Sequence, residues 1–416
     1  MNSTMSIAMA EVPETIEDLG IPRSLLDDLA LKTLYVHGEM SLTELANGMH
    51  VSYAIVEELF PRLRKEQLCE VKGLVNLSHQ IAITSRGREQ AVELLSLDHY
   101  VGPAPVSLTD YATRVRAQSV REAEVRPEDV ERALSHLVLT RETLIQVGTA
   151  VTSGRSLFLY GPSGTGKTSI AEAISRIYHD PVWIPHAVEI DAQIIAVYDA
   201  RVHGKTDEQI PDSSDPRWVR CRRPCIVTGG ELTLEMLDLQ FNATSKVYSA
   251  PLQMKANNGV LIIDDFGRER IRPEELLNRW IVPLDRGIDF LTLAGGMKFE
   301  VPFDLFVAFA TNLDPTSLAD EAFLRRVPSK IKIDNCTPEQ FHEISRLVCE
   351  EHKLTYDDAA VDELLGLLGG SKQQLRPCYP RDIVRQICWA ARYAGKQPHF
   401  DLTTVTQAYR SYFLWA

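Results

Sequence analysis

Apolar residues recur at three-to-four spacing over residues 21–37 and 42–49, and residues 51–68 continue that period, so three short helices are expected, broken at Gly38 and Asn47-Gly48. The period then changes. Residues 69–83 alternate around Gly73 as a β-hairpin would, and Thr84-Ser85-Arg86-Gly87-Arg88 opens a further helix to about Leu97. Farther on, residues 156–160, 259–264 and 305–310 are short apolar runs separated by helical stretches, the pattern of a parallel sheet covered on both faces. Beyond Thr337 the pattern is helical almost throughout.

These changes divide the chain into an acidic, flexible leader (1–19), a helical domain with a hairpin (20–100), a linker (101–127), an α/β domain (128–336) and a small helical domain (337–416). The linker begins Val101-Gly102-Pro103-Ala104-Pro105-Val106, which is stiff and expected to be exposed. Two or three domains also suit a length of 416 residues.

A hydrophobic content of 44% with 24% charged residues is that of a soluble globular protein. The formal net charge of -13 gives no general attraction to nucleic acid or to anionic membranes. No apolar run approaches the roughly 20 residues needed to span a bilayer, so no membrane span is expected. The first ten residues lack a basic segment and an apolar core, and the seven cysteines are scattered with no C-x-x-C pair, so a reduced, cytoplasmic protein is expected. Cys221 and Cys225 stand four apart, but no second pair with zinc spacing follows, which favours free thiols over a metal site.

The strongest chemical signal follows the first apolar strand. Gly161-Pro162-Ser163-Gly164-Thr165-Gly166-Lys167-Thr168 leads into a helix that begins near Ser169. Such a loop lets successive backbone N–H groups and the helix N-terminus face a phosphate, with Lys167 as a point charge and the Thr168 hydroxyl as a magnesium ligand. ATP and Mg²⁺ are therefore the expected ligands. A phosphate loop of this kind needs a carboxylate for the metal and a second for water at the end of a buried strand. Val260-Leu261-Ile262-Ile263-Asp264-Asp265 supplies both, Asp264 for the metal and Asp265 for the water.

Together these motifs resemble the AAA+ ATPase family from about Glu128 to the end. The resemblance implies a sensor asparagine at Asn312, after the strand Leu305-Phe306-Val307-Ala308-Phe309-Ala310-Thr311. It also implies an arginine offered to the next subunit's ATP at Arg326, with Arg325 as the alternative, and a lid arginine at Arg381 in Tyr379-Pro380-Arg381-Asp382. A homo-oligomeric, hexameric ring follows from the same resemblance. One departure stands out: the family has Glu where this chain has Asp265, which withdraws the carboxylate and implies slow hydrolysis. Val138 and Leu139 are positional candidates for adenine contact.

The stretch Ala250-Pro251-Leu252-Gln253-Met254-Lys255-Ala256-Asn257-Asn258-Gly259 resembles the MoxR-like and enhancer-binding-activator branch. Residues 228–251 are long enough for that branch's helix-2 insertion, and residues 289–303 for its hairpin, with Gly295-Gly296 at the turn. The activators' G-A-F-T-G-A loop is absent. Residues 183–198 suggest two strands, and Tyr248 or Phe241 on the insertion is a candidate grip on a client polypeptide. The implied role is a remodeller or assembly chaperone of a protein complex, with pilus assembly as a faint association.

Residues 20–100 resemble a winged helix. DNA binding is disfavoured there, since 8 Lys and Arg stand against 15 Asp and Glu between Met1 and Tyr100. Protein docking through this domain and the insertion loops is preferred. A DNA-binding regulator and a slow nucleotide-gated scaffold stay as alternatives.

Overall fold

Five strands form one parallel sheet in the spatial order Cys225–Thr228, Val260–Ile263, Phe306–Thr311, Ser156–Tyr160, Ser329–Lys332; the three central ones are nearly continuous apolar runs, and the edge strand Ser329–Lys332 buries only Ile331. The structure is a computed structural model and describes residues 12–75, 78–206, 213–318 and 321–413. Side chains alternate between the sheet faces, so each face has its own core. Leu157, Leu159, Ile262 and Ala308 pack with Val147, Ala150, Ile170 and Ile174 on one side. Phe158, Leu261, Ile263, Val307 and Phe309 pack with Leu276, Trp280 and Phe303 on the other. Truncating the fully buried Phe309 to Ala would cost about 3–5 kcal/mol.

Because every pair is parallel, the strand ends at Tyr160, Thr228, Ile263 and Thr311 share one edge of the sheet. The first strand lies between the fourth and fifth, so this edge contains a crevice where successive connections leave in different directions. The expected α/β class with a covered parallel sheet is what the chain forms.

Residues 20–97 fold as the helices Arg23–His37, Leu42–Met49, Tyr53–Lys65 and Ser85–Leu97 around a three-stranded antiparallel sheet. Ser41 and Glu44 form a reciprocal capping box that starts the second helix. Gly73 is not the hairpin turn. It lies inside the strand Cys69–Val75, at an irregularity of register, and Val75 pairs with Ser78; residues 76–77 lie outside the described residues. Most of the expected leader, residues 1–11, also lies outside them.

Two expectations are corrected by burial. Ile16 and Leu19, assigned to the leader, belong to the core of the N-terminal unit. The stretch 101–127, read as an exposed linker, is built into the molecule: Ala104 and Val106 are fully buried, Val106–Ser107 pairs with Val188 and Glu189, and Tyr111 on the helix Leu108–Ala117 is buried. Composition suggested a tether, but nonlocal pairing made a strand.

Residues 183–198 contribute three strands rather than two, Val182–Pro185, Ala187–Ile190 and Gln193–Ala196. The last two join a second sheet with Val106–Ser107 and the hairpin Gln240–Asn242 and Val247–Ser249. This sheet seats the N-terminal unit. Ala187 and Ile194 enter its core, Ala104 N–H donates to Met49 C=O at 2.7 Å, and the buried Arg217, paired with Asp215, donates to the carbonyls of Leu19 and Pro105.

The C-terminal helices Pro338–Glu351, Asp358–Gly370, Tyr379–Tyr393 and Leu402–Tyr412 enclose a core of their own around Phe341, Val361, Leu364 and Ile383. No helix among the described residues is long and apolar enough to cross a membrane.

Candidate functional site

The loop after Ser156–Tyr160 depends on glycine at two close approaches. Gly161 has φ +137°, and a Cβ there would stand 2.2 Å from the Ile333 carbonyl oxygen. Gly164 has φ +79°, and a Cβ there would stand 2.5 Å from Cys378 Sγ. Neither position can carry a side chain without displacement. Gly166 then begins the helix Lys167–Ile174, so the N–H groups of its first turn open on the loop.

Lys167 is buried inside this loop. Its Nζ donates to Gly161 O at 2.9 Å, Pro162 O at 2.7 Å and Asn312 Oδ1 at 2.8 Å. Burial draws the ammonium below its ordinary pKa, and Asp265 and Asp264 oppose that shift. The Thr165 hydroxyl donates to Pro162 O, which closes the turn. Ser163 and Ser169 make no side-chain hydrogen bond among the described residues.

Thr168 and Asp264 meet across two elements. The Thr168 hydroxyl lies 2.9 Å and 3.0 Å from the two Asp264 carboxylate oxygens. A hydroxyl and a carboxylate are hard oxygen donors that fit Mg²⁺, which takes only one or two carboxylates and completes its shell with water and phosphate. Asp264 N–H donates to Thr228 O at 2.8 Å, fixing the neighbouring strand end beside it. The Thr228 hydroxyl donates to Glu231, a pair the sequence reading did not single out.

Asp265 holds a left-handed backbone, φ +52°, and is exposed beside the loop. Asn312 Nδ2 donates to Asp265 Oδ1 at 3.1 Å, so Lys167, Asn312 and Asp265 form one hydrogen-bonded chain. The fold therefore gathers Lys167, Thr168, Asp264, Asp265 and Asn312 at one edge of the sheet, from three different strand ends.

The arginines are not gathered there. Arg326 pairs with Asp285 at 2.7 Å, and its backbone carbonyl accepts from the Ser156 hydroxyl, at the start of the first strand and so about 16 Å from the loop at its end. Arg325 is 76% exposed and pairs with Glu321. Arg381 lies in the first turn of Tyr379–Tyr393, half-exposed, 3.4 Å from Glu351. It helps depress the pKa of His136, after burial and Arg176. Val138 and Leu139 are half-buried near that histidine.

The segment before Tyr379–Tyr393 that touches the glycine loop carries no sequence motif. Cys378 N–H donates to Gly164 O at 3.1 Å, and Arg376 lies beside it. The stretch Leu375-Arg376-Pro377-Cys378 has no periodicity to mark it. Within residues 228–251, Tyr248 is not a free grip: it is buried, and its hydroxyl accepts from Ala294 N–H at 2.9 Å. Phe241 is 47% exposed and stacks obliquely on Tyr248. Asn257 and Asn258, from the branch-like stretch, tie strand Val260–Ile263 to the helix Leu108–Ala117 through Tyr111 and the Val115 carbonyl. Their role is structural.

Residues 337–411, the C-terminal helices, match the model of a domain of unknown function, DUF8689. Among curated protein sequences none matches the chain. Similar solved structures include NtrX from Brucella abortus in complex with ADP, 14% identical over 66% of this chain and 56% of that one, with a TM-score of 0.40. Another is the Thermotoga maritima RuvB Holliday junction branch migration motor, 16% identical over 69% of this chain and 70% of that one, with a TM-score of 0.36. The chain thus spans little more than half the length of the NtrX chain.

Proposed function

We propose that this chain is a magnesium-dependent AAA+ ATPase that works as a ring and remodels or assembles a protein complex. One observation carries the reading: Lys167, Thr168, Asp264, Asp265 and Asn312, scattered over 146 positions of sequence, meet at one edge of a parallel sheet around a glycine-built phosphate loop. In ATP hydrolysis the Lys167 ammonium exchanges its Gly161 and Pro162 carbonyl partners for phosphate oxygens. Thr168 and Asp264 would hold Mg²⁺, which would supply charge neutralisation on the outer phosphates. Asp265 orients the attacking water, and Asn312 fixes the Asp265 carboxylate against Lys167. Arg326 of an adjacent copy and Arg381 of the lid complete the site in this reading.

Protein docking is favoured over DNA for the winged-helix-like unit. In helix-turn-helix readers the N-terminal end of the second helix meets the bases. Here His50, just before Tyr53–Lys65, lies 2.7 Å from the Pro216 carbonyl, which brings the α/β unit close to that end, while Tyr53 and Ala54 in its first turn are exposed. Glu57 and Glu58 occupy the exposed side. Slow turnover is a second reading, supported by Asp265 where the family carries Glu.

Phosphate release by the full chain, with and without Mg²⁺, tests the catalytic half; Lys167→Ala should abolish it. A wild-type chain that binds no ATP in calorimetry would sink the proposal. Sedimentation with and without ATP tests the ring, and capture of partners by Asp265→Asn tests the client.

A further inference from the structure

Arg376 stands apart from the other lid arginine. Its side chain lies against the glycine loop, with Cδ 3.6 Å from where a Cβ on Gly164 would lie. The segment is pinned there by the Cys378 N–H bond to the Gly164 carbonyl. The Arg376 Nε is buried and has no hydrogen-bond partner, and among the described residues its guanidinium pairs with no carboxylate. Its guanidinium also lies over the Tyr379 ring, 5.9 Å from centroid to guanidinium carbon. A guanidinium cannot shed its charge, so a buried N–H of this kind without an acceptor is costly. Arg381, which the motif singles out, is already paired with Glu351 and is half-exposed.

We propose that Arg376 is a phosphate-binding residue, its guanidinium donating to the polyphosphate oxygens of a nucleotide held by the Gly161–Thr168 loop. This rests on the ATP-binding reading above. The planar fork of N–H donors matches phosphate oxygens in a way that a point charge does not. Because Arg376 and Cys378 lead directly into Tyr379–Tyr393, filling the loop pulls on the helical unit through a second handle besides Arg381. The backbone bond to Gly164 already holds the segment that carries Arg376 against the loop.

Calorimetry on the full chain tests this with ATP, ADP, adenosine, pyrophosphate and inorganic phosphate as separate probes. Arg376→Ala is expected to weaken ATP by about tenfold or more and to leave adenosine unchanged, as for one lost charge-assisted contact. Arg376→Lys should recover part of the loss and Arg376→Gln none. ATP should also protect residues 337–413 from proteolysis in the wild type and less so in Arg376→Ala. Affinity for ATP within about twofold of wild type overturns the proposal, as does equal loss for ATP and adenosine, which would indicate a packing role. Full recovery by Arg376→Gln overturns it too. If Arg376→Ala does not fold, the Lys and Gln variants decide alone. A loss confined to inorganic phosphate and pyrophosphate would make this a free-phosphate site and overturn the nucleotide assignment. Failure of the underlying reading looks different: wild type and Lys167→Ala would then bind ATP equally or not at all.

Discussion

Asn312 donates to the Asp265 carboxylate at 3.1 Å while accepting from Lys167 at 2.8 Å, so one side-chain amide joins the buried loop lysine to the acid beside it. Asn312→Ala removes both bonds but leaves the loop glycines, Thr168 and Asp264 in place. Turnover should fall about 10²-fold, the scale of a reacting group misplaced by about 1 Å, with ATP affinity changed far less. Phosphate release and calorimetry on the same preparation separate the two effects. Undiminished turnover would remove Asn312 from the site.

The left-handed backbone of Asp265 bears on its chemistry. Asp and Asn tolerate φ +52° because a short polar side chain can bond locally, whereas longer residues pay for it. Asp265→Asn should therefore fold like the wild type, bind ATP and not hydrolyse it. Asp265→Glu should lose about 1 kcal/mol of stability and turn over more slowly, since the added methylene breaks the fit to Asn312. Faster turnover in Asp265→Glu would show instead that the short side chain limits the reaction.

The Thr168 hydroxyl and the Asp264 carboxylate already meet at 2.9 and 3.0 Å, so hard oxygen donors from two elements stand side by side for a cation. Asp264→Asn should raise the Mg²⁺ concentration needed for half-maximal hydrolysis by about tenfold or more. Thr168→Ser should stay near wild type and Thr168→Ala should not. A magnesium titration of each variant checks this ordering.

Local chemistry made the site legible. A phosphate loop needs its glycines in sequence, and strands buried on both faces read as apolar runs, so Asp264, Asp265 and Asn312 could be found at their ends. What depended on distant pairing could not be read. Val106 looks like part of a Gly- and Pro-rich tether until Val188 supplies its strand partner. Ile16 and Leu19 lie in an acidic stretch, and only the assembled helices show that they are core. Tyr248 could equally have been an exposed grip or a packed residue, and its bond to Ala294 decides between them. Arg376 carried no pattern at all, because a residue's nearness to Gly164 is set by how the helical unit sits on the loop.

Arg326 is held by Asp285 near the start of the first strand, a strand length from its own phosphate loop. An arginine acting on the neighbouring copy's ATP gives a specific mixing result. Arg326→Ala and Lys167→Ala should each be inactive, and mixed rings of the two should regain part of the hydrolysis. Asp285→Ala should lower turnover without weakening ATP binding, because the guanidinium loses its anchor. No recovery under conditions that form mixed rings would withdraw the trans role, and Arg325→Ala then becomes the comparison.

The seam between the N-terminal unit and the core contains a histidine that the fold keeps neutral. His186 stacks edge-on against His50 at 5.0 Å and against Tyr198 at 5.3 Å. Burial, then the nearby His50 and Lys205, bring its pKa from 6.5 down to about 4. The unfolded chain therefore takes up a proton below about pH 6.5 that the folded chain refuses until about pH 4. The stability this neutral histidine contributes is complete above about pH 6.5 and is lost progressively as pH falls toward 4. Thermal unfolding at about pH 7.5 and about pH 5 should show a larger drop for wild type than for His186→Gln, the difference excluding carboxylates common to both. Because His50 precedes the helix Tyr53–Lys65 and its Nδ1 meets the Pro216 carbonyl, the same acidification should loosen the N-terminal unit first. Proteolysis of the 101–106 segment should then speed up before the central sheet unfolds. Equal pH dependence in wild type and His186→Gln would place the acid sensitivity elsewhere.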